Sequence, residues 1–300
     1  MAHYLDPKND LTFKRVFGEH KHLCMSLINS MLPLDKPIVS IEYQTGELLP
    51  EIAGLRNSIV DVRCTDSDGR MFIVEMQMYW SESFKSRVLL NASKAYIKQL
   101  DKSEDFELLQ PVYALNFVND IFEKSSEMKN EYYHYYKIVN IKDTEKQIKG
   151  LEFLFVELPK FKPLNRAEKK LHELWLRFLT EINETTETPP QELIDNELTR
   201  EAVEYMEKAA YTKEQLDAYD KWKIDAMTER SALITAKKEG KIEGKLEGKI
   251  EGKIEGKIEG KIEIALKALA MGMSIEDTHK LTDLSLQQIE ELIRNNPHPK

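Results

Sequence analysis

One stretch constrains the fold more than any other, Ile59 to Tyr79. It reads Ile59-Val60-Asp61-Val62-Arg63-Cys64-Thr65, then Asp66-Ser67-Asp68-Gly69, then Arg70-Met71-Phe72-Ile73-Val74-Glu75-Met76-Gln77-Met78-Tyr79. β-branched and apolar residues favour strands, and Asp-Ser-Asp-Gly is turn chemistry, so the spacing predicts a β-hairpin. Strand side chains alternate between faces. Val60, Val62 and Cys64 should share one face of the first strand, and Ile59, Asp61 and Arg63 the other. In the second strand Phe72, Val74, Met76 and Met78 share one face, and Ile73, Glu75, Gln77 and Tyr79 the other. Asp61, Glu75 and Gln77 thus interrupt strands that otherwise read as buried. A desolvated carboxylate is costly unless it is paired or bound to a metal. Two acids that converge across a hairpin, with an amide two residues on, suggest a hard-cation site with oxygen ligands.

Upstream, Phe13, Phe17, Cys24, Leu27, Ile28 and Met31 recur at helical spacing, and Pro33 follows. Asn9 or Asp10 would cap this helix. Asp10 has a second reading as an extra acid near the hairpin site. Lys14 and Arg15 read as solvated or as facing phosphate. Ile38 to Leu48 reads as a strand, and Pro50 to Leu55 as a loop. From Ser81 a helix carries Phe84, Val88, Ala92, Ala95 and Tyr96 on one stripe, ringed by Lys85, Arg87, Lys94 and Lys98. The planar fork of Arg87 suits either a site carboxylate or a phosphate; a plain surface charge is the other reading. Pro111 to Val118, Tyr132 to Ile141 and Leu151 to Leu158 read as further strands. Helix, three strands, helix and further strands make an α/β order.

From Arg166 the period becomes helical. Leu171, Leu174, Trp175, Phe178 and Leu179 form one stripe, Leu193, Leu198, Val203 and Met206 a second, and Trp222, Met227 and Leu233 a third. Trp175 and Trp222 read as packing residues. Residues 239–261 repeat Glu-Gly-Lys-Ile, with Leu246 once in place of Ile. This is no phosphate loop: its glycines fall every fourth residue and each Lys precedes Ile or Leu, not Ser or Thr. It is also a poor helix, because each Gly costs ~1 kcal/mol against Ala. A four-residue period drifts about 40° per repeat around a 3.6-residue helix, so no straight apolar seam forms. Ser274-Ile275-Glu276-Asp277 and Ser285-Leu286-Gln287-Gln288 then look like caps of short helices in a small helix-turn-helix-like tail.

The net charge of −9 argues against coating nucleic acid by bulk electrostatics. It leaves a nuclease open, since metal-site acids are part of that count. Cys24 and Cys64 sit among apolar neighbours and read as buried free thiols of a reducing cytoplasm. No run approaches ~18 apolar residues, so a membrane partner is not expected, and the opening residues carry no apolar signal region. His-Glu-x-x-His, Cys-x-x-Cys and Gly-x-Ser-x-Gly are absent from the sequence.

Asp61 followed by Glu75-x-Gln77 on adjacent strands resembles the PD-(D/E)XK nuclease superfamily. The wider pattern resembles the Rpn family of recombination-promoting nucleases, PD-(D/E)XK nuclease family transposases. The resembling pieces are Asp6-Pro7-Lys8-Asn9-Asp10-Leu11-Thr12-Phe13-Lys14-Arg15-Val16-Phe17-Gly18, the Asp61-Val62 strand, Val74-Glu75-Met76-Gln77, the Arg87 helix and the Gly-rich charged tail. Gln77 stands where the superfamily usually has Lys, as it does in the Rpn branch. The resemblance implies a restriction-endonuclease-like core, a mixed central sheet flanked by helices, over residues 1–160. An all-helical region over 161–238, the repeat as linker or marginal helix over 239–263 and the tail over 264–300 would follow. It also implies a cytoplasmic DNA endonuclease using Mg²⁺ or Mn²⁺, linked to recombination or mobile elements. Asp61 and Glu75 would hold the ion with the Met76 carbonyl, Gln77 would orient water or phosphate, and Asp10 and Arg87 would be accessory. Two rivals stand beside this. One is a non-catalytic nuclease-like module that binds DNA or protein and forms homo-oligomers through its C-terminal helices. The other is structural, with Asp61 and Glu75 paired to Arg56, Arg63 or Arg87.

Overall fold

The computed structural model of the chain describes residues 4–44, 47–48, 58–59, 61–100, 105–163 and 170–295. The loop expected over Pro50 to Leu55 lies outside the described residues, as do Arg56 and Val60. The chain opens on α1 (Asp10–Phe13), a π turn over Lys14–Gly18 and α2 (Lys21–Met31). The cap is Asn9, whose Oδ1 accepts from the Leu11 amide at 2.8 Å, which leaves Asp10 free of capping duty in the first turn. The single helix expected through Met31 is therefore broken. The break falls at His20, which has extended backbone, donates from Nδ1 to Arg15 O at 2.8 Å and stacks on Tyr205 at 4.0 Å.

The strand expected over Ile38 to Leu48 is shorter and divided. Ile41–Tyr43 (β1) pairs with the hairpin, while Glu47–Leu48 (β2) pairs with Ser58–Ile59 (β3) as a separate ladder. Ile59 thus belongs to that ladder and not to the hairpin, because the chain bends at Asp61. The hairpin is β4 (Val62–Asp66) and β5 (Met71–Gln77), with Val62 opposite Val74 and Cys64 opposite Phe72. Its turn is held by Asp66, whose Oδ1 accepts from the amides of Asp68 and Arg70 at 3.0 and 2.9 Å. Gly69 sits at φ +83°, where a Cβ would be strained.

After the hairpin, α3 (Glu82–Ile97) carries the chain back so that β6 (Val112–Val118) lies parallel to β5. Parallel pairing requires such a crossover. Then β7 (Tyr133–Asn140) and β8 (Asp143–Glu157) form an antiparallel pair, with β8 parallel to β6. β8 starts eight residues before the expected Leu151; residues 144–149 are exposed and polar apart from Ile148, so no apolar pattern marked them. The sheet order is β1-β4-β5-β6-β8-β7, mixed and six-stranded.

Helices cover both faces. Phe13, Phe17 and α2 pack with Val62, Cys64, Phe72, Val74, Leu115 and Phe117, joined by α4 (Leu171–Glu181), α5 (Gln191–Asp195) and α6 (Glu197–Glu204). The opposite face packs Ile73, Ala114, Val118 and Phe155 against Phe84, Val88, Ala92 and Ala95 of α3. The hairpin alternation holds: Val62, Cys64, Phe72 and Val74 face the first core and Ile73 the second. The architecture is an α/β sandwich.

The chain divides into two compact units, Met1–Met227 and Thr228–Lys300. The long helix α7 (Lys213–Ala270) contains residues 239–261, whose Ile242, Leu246, Ile250, Ile254 and Ile258 are 44–59% exposed. In the second unit Ala265, Leu284 and Ile289 form a small core with α8 (Ile275–Thr282) and α9 (Leu286–Asn295). Ser274 caps α8 by accepting from the Asp277 amide, and Ser285 accepts from the Gln288 amide. No described helix is long and apolar enough to cross a membrane.

Trp175 is fully buried, edge-on to Phe17 and Phe178 at 5.5 and 5.9 Å, and donates from Nε1 to Ser26 Oγ at 3.0 Å. Trp175→Ala should cost about 3–5 kcal/mol, read as a lowered urea midpoint. Trp222 is only half-buried in α7, and Trp222→Ala should stay within about 1 kcal/mol of wild type. Equal losses in the two variants would contradict this packing.

Candidate functional site

The polar interruptions of the hairpin gather at the head of β4 and the end of β5. Asp61 lies in the bend before β4, so strand alternation no longer sets its direction. Its Oδ2 accepts from the backbone amide of Met76 at 2.7 Å. That bond fixes the Asp61 carboxyl beside the residue that separates Glu75 from Gln77. From the other side the N-terminal segment arrives. Lys14 Nζ lies 2.7 Å from Asp10 Oδ1 and 3.7 Å from Asp61 Oδ1, so one ammonium stands beside both carboxyls.

Burial, together with Asp10, pushes the Asp61 carboxyl up to about 7, against the pull of the Met76 amide and Lys14. Burial lowers Lys14, but Asp10 and Asp61 outweigh it and hold the amine above its ordinary value. Lys14 is therefore an ammonium at neutral pH.

Glu75 points to the α3 face and is 6% exposed. Burial raises its pKa, partly offset by Asn91 and Arg87. Asn91 Nδ2 donates to Glu75 Oε1 at 3.1 Å, and one turn earlier Arg87 Nη2 donates to Gln77 Oε1 at 2.5 Å. The spacing explains the double contact: four residues of helix advance about 6 Å and two of strand about 6.6 Å. Gln77 also donates from Nε2 to Tyr79 O at 2.8 Å. An ammonium at this position could not accept from Arg87, which gives Gln77 a physical reason to stand where Lys is usual.

A second buried acid shows what a saturated carboxylate looks like in this fold. Glu157, at the end of β8, accepts from the amides of Phe122 and Glu123 through Oε1 at 2.6 and 3.0 Å. Its Oε2 meets His134 Nε2 at 2.8 Å and Lys160 Nζ at 2.5 Å. Burial raises its pKa, but Lys160, the two amides and His134 win, and it stays ionised below the usual range. Glu75 has no such set of donors.

All five residues singled out in the sequence, Asp61, Glu75, Gln77, Asp10 and Arg87, thus take part in contacts at this end of the hairpin. They form two groups: Asp10, Lys14 and Asp61; and Glu75, Asn91, Gln77 and Arg87. Neither acid pairs with Arg63, which is buried with Nε lacking a partner. Among the described residues no group of three or more His, Cys, Asp or Glu is arranged around one ion. The donors present at Asp61 and Glu75 are all oxygen, and Cys64 belongs to the opposite core. That donor chemistry fits a hard divalent cation and not a soft one. Two partners had weak sequence signals. Lys14 follows Asp10 by four residues, and Asn91 is a polar residue inside the α3 apolar stripe, three after Val88 and four before Ala95.

Asp61 has a folded-state pKa of about 7, above the ~3.9 of an unfolded Asp. Folding therefore takes up a proton between these values. The contribution is most favourable below about pH 4 and is lost as pH rises through 7. Urea midpoints without divalent cations should fall from pH 5 to pH 8, and Asp61→Asn should flatten that slope. Parallel slopes for variant and wild type would show that Asp61 is not the titrating group.

The family model described as PD-(D/E)XK nuclease family transposase matches residues 7–235. No curated protein and no solved structure matches the chain. The matched span takes in α1, the hairpin with Asp61, Glu75 and Gln77, the crossover helix with Arg87, and the helices that close the first core. On that fold, that site and that match, the chain belongs to the PD-(D/E)XK nuclease family transposases.

Proposed function

We propose that the chain is a divalent-cation-dependent DNA endonuclease that hydrolyses phosphodiester bonds, serving recombination or a mobile element. The observation that carries this reading is the pinning of the Asp61 carboxyl to the Met76 amide, next to a buried Glu75 with too few donors. Asp61 and Glu75 would hold Mg²⁺ or Mn²⁺. When bound, the ion would lower the pKa of a water and stabilise the charge of the five-coordinate phosphate. Arg87 orients the Gln77 amide, which in turn positions water or a phosphate oxygen. Lys14 supplies the positive charge that position 77 lacks. Its ammonium sits at Asp61 and would move to the phosphate as the cation takes the carboxylate. Asp10 holds Lys14 at 2.7 Å until then.

A second reading is favoured by one observation: Asp61 is already partnered by Met76 and Lys14. A nuclease-like module that binds DNA or protein without turnover would keep those contacts permanently. Supercoiled plasmid separates the two. Wild type should relax or linearise it with Mg²⁺ and not with EDTA, Asp61→Ala should be inactive, and Lys14→Ala should lose about 10²-fold in rate with partial recovery in Lys14→Arg. Cutting by Asp61→Ala as fast as wild type would overturn the endonuclease proposal; binding without cutting by wild type would establish the second reading.

The C-terminal unit carries a different task, homo-oligomerisation. The half-exposed Ile and Leu of the repeat support this, as does the lack of any site acid beyond Glu75. A chain ending at Lys238 should melt like the first unit of the full chain and cut plasmid, but sediment as a smaller species. A truncated chain that melts normally and cannot cut would place the tail in catalysis.

A further inference from the structure

Beside Glu75 the sandwich buries two amides whose oxygens have no partner. Asn91 on α3 and Asn116 on β6 are each 1% exposed, and neither Oδ1 accepts a hydrogen bond. Asn91 is aimed at the carboxylate, since its Nδ2 donates to Glu75 Oε1. Turning that amide over would only exchange which atom is orphaned and set a carbonyl against a carboxylate. Asn116 is the register partner of Glu75 in the parallel β5–β6 pair, so both side chains stand on the same face of adjacent strands. Its Nδ2 is used twice, at Ala114 O and Leu154 O at 3.1 and 3.0 Å, which leaves its oxygen as the unspent group.

A buried acceptor without a donor keeps the full cost of its desolvation, and such groups are few in native interiors. Here one of them belongs to the amide that donates to Glu75 and the other to the register partner of Glu75 on β6. Packing does not require them: on the same face Ile73, Ala114, Val118 and Phe155 are apolar. The Glu75 carboxylate and two amide oxygens, associated by one helix-to-strand contact and one strand register, are the donor types of a hard-cation site.

We propose that Asn91 and Asn116 complete the cation site on the Glu75 side, as oxygen donors that face the ion or the water it carries. This rests on the endonuclease reading above and extends it: the inner wall of the site is formed by α3 and β6 as well as the hairpin. It also gives the helix-to-strand contact a task. Asn91 fixes Glu75 Oε1 through Nδ2 while its carbonyl remains available to the ion or its hydration shell.

The test uses the full chain and Mn²⁺ as the probe, with binding by isothermal titration calorimetry and the Mn²⁺-induced shift in melting temperature. Asn91→Ala and Asn116→Ala should each weaken Mn²⁺ binding about 10-fold or more, the range for groups that orient metal ligands. Asn91→Asp covers the case in which an alanine variant fails to fold. It should melt lower than wild type without metal, because it sets a second carboxylate against Glu75. Its Mn²⁺-induced shift should exceed that of wild type. Wild-type affinity in both alanine variants, or an Asn91→Asp variant with a lower melting temperature and no larger shift, would overturn the proposal. If wild type itself binds no Mn²⁺, the cation-dependent reading fails together with this extension of it.

Discussion

The burial of acid inside the sheet is the condition on which the rest depends. Glu75 sits in a strand flanked by hairpin and parallel partners, covered by α3, where water cannot answer its charge. Such a group must find donors, hold a proton or hold a cation. The fold supplies Glu157 with amides, a histidine and a lysine, and that acid is settled. It supplies Glu75 with one amide hydrogen and a distant guanidinium. Two buried acids of one sheet thus have their pKa values pushed in opposite directions, Glu75 up by burial and Glu157 down by its donors.

The hairpin places the unsettled chemistry where two layers can reach it. Asp61 is held in line by a backbone amide of β5, so its position follows from strand pairing and not from a flexible rotamer. The N-terminal segment then brings Asp10 and Lys14 against it, while α3 brings Arg87 and Asn91 to the next two polar positions along β5. The crossover helix is obligatory for a parallel β5–β6 pair. Its sequence adds polar groups at the two positions that come into register with Glu75 and Gln77. One element therefore closes the topology and furnishes the site.

Lys14 and Gln77 illustrate how charge can be relocated in a site of this kind. The amide of Gln77 accepts from Arg87, a bond that an ammonium cannot make. Among the described residues, the positive charge beside Asp61 comes instead from Lys14, in the first turns of the chain. Lys14 is kept protonated by the two acids it touches, so it can act as a fixed charge and not as a base.

Much of the fold was legible from local patterning. The two-residue alternation around Asp66-Ser67-Asp68-Gly69 determined the hairpin, its faces and the placing of Glu75 beside buried Val74. The apolar stripe of α3 and the run from Val112 to Val118 determined a helix and a buried strand. What alternation could not determine was the direction of Asp61, because the chain bends there and pairing with Met76 overrides the period. The polar half of β8 also escaped, since it pairs across a tight local hairpin with β7 and buries no apolar face, and so did the break at His20, whose ring stacks on Tyr205 far along the chain. Asn91, Asn116 and Lys14 were visible as residue types, but their importance is a matter of neighbours. Only the tertiary structure decides which polar group is buried without a partner, because hydrogen bonding in an interior is settled between segments that the sequence keeps far apart.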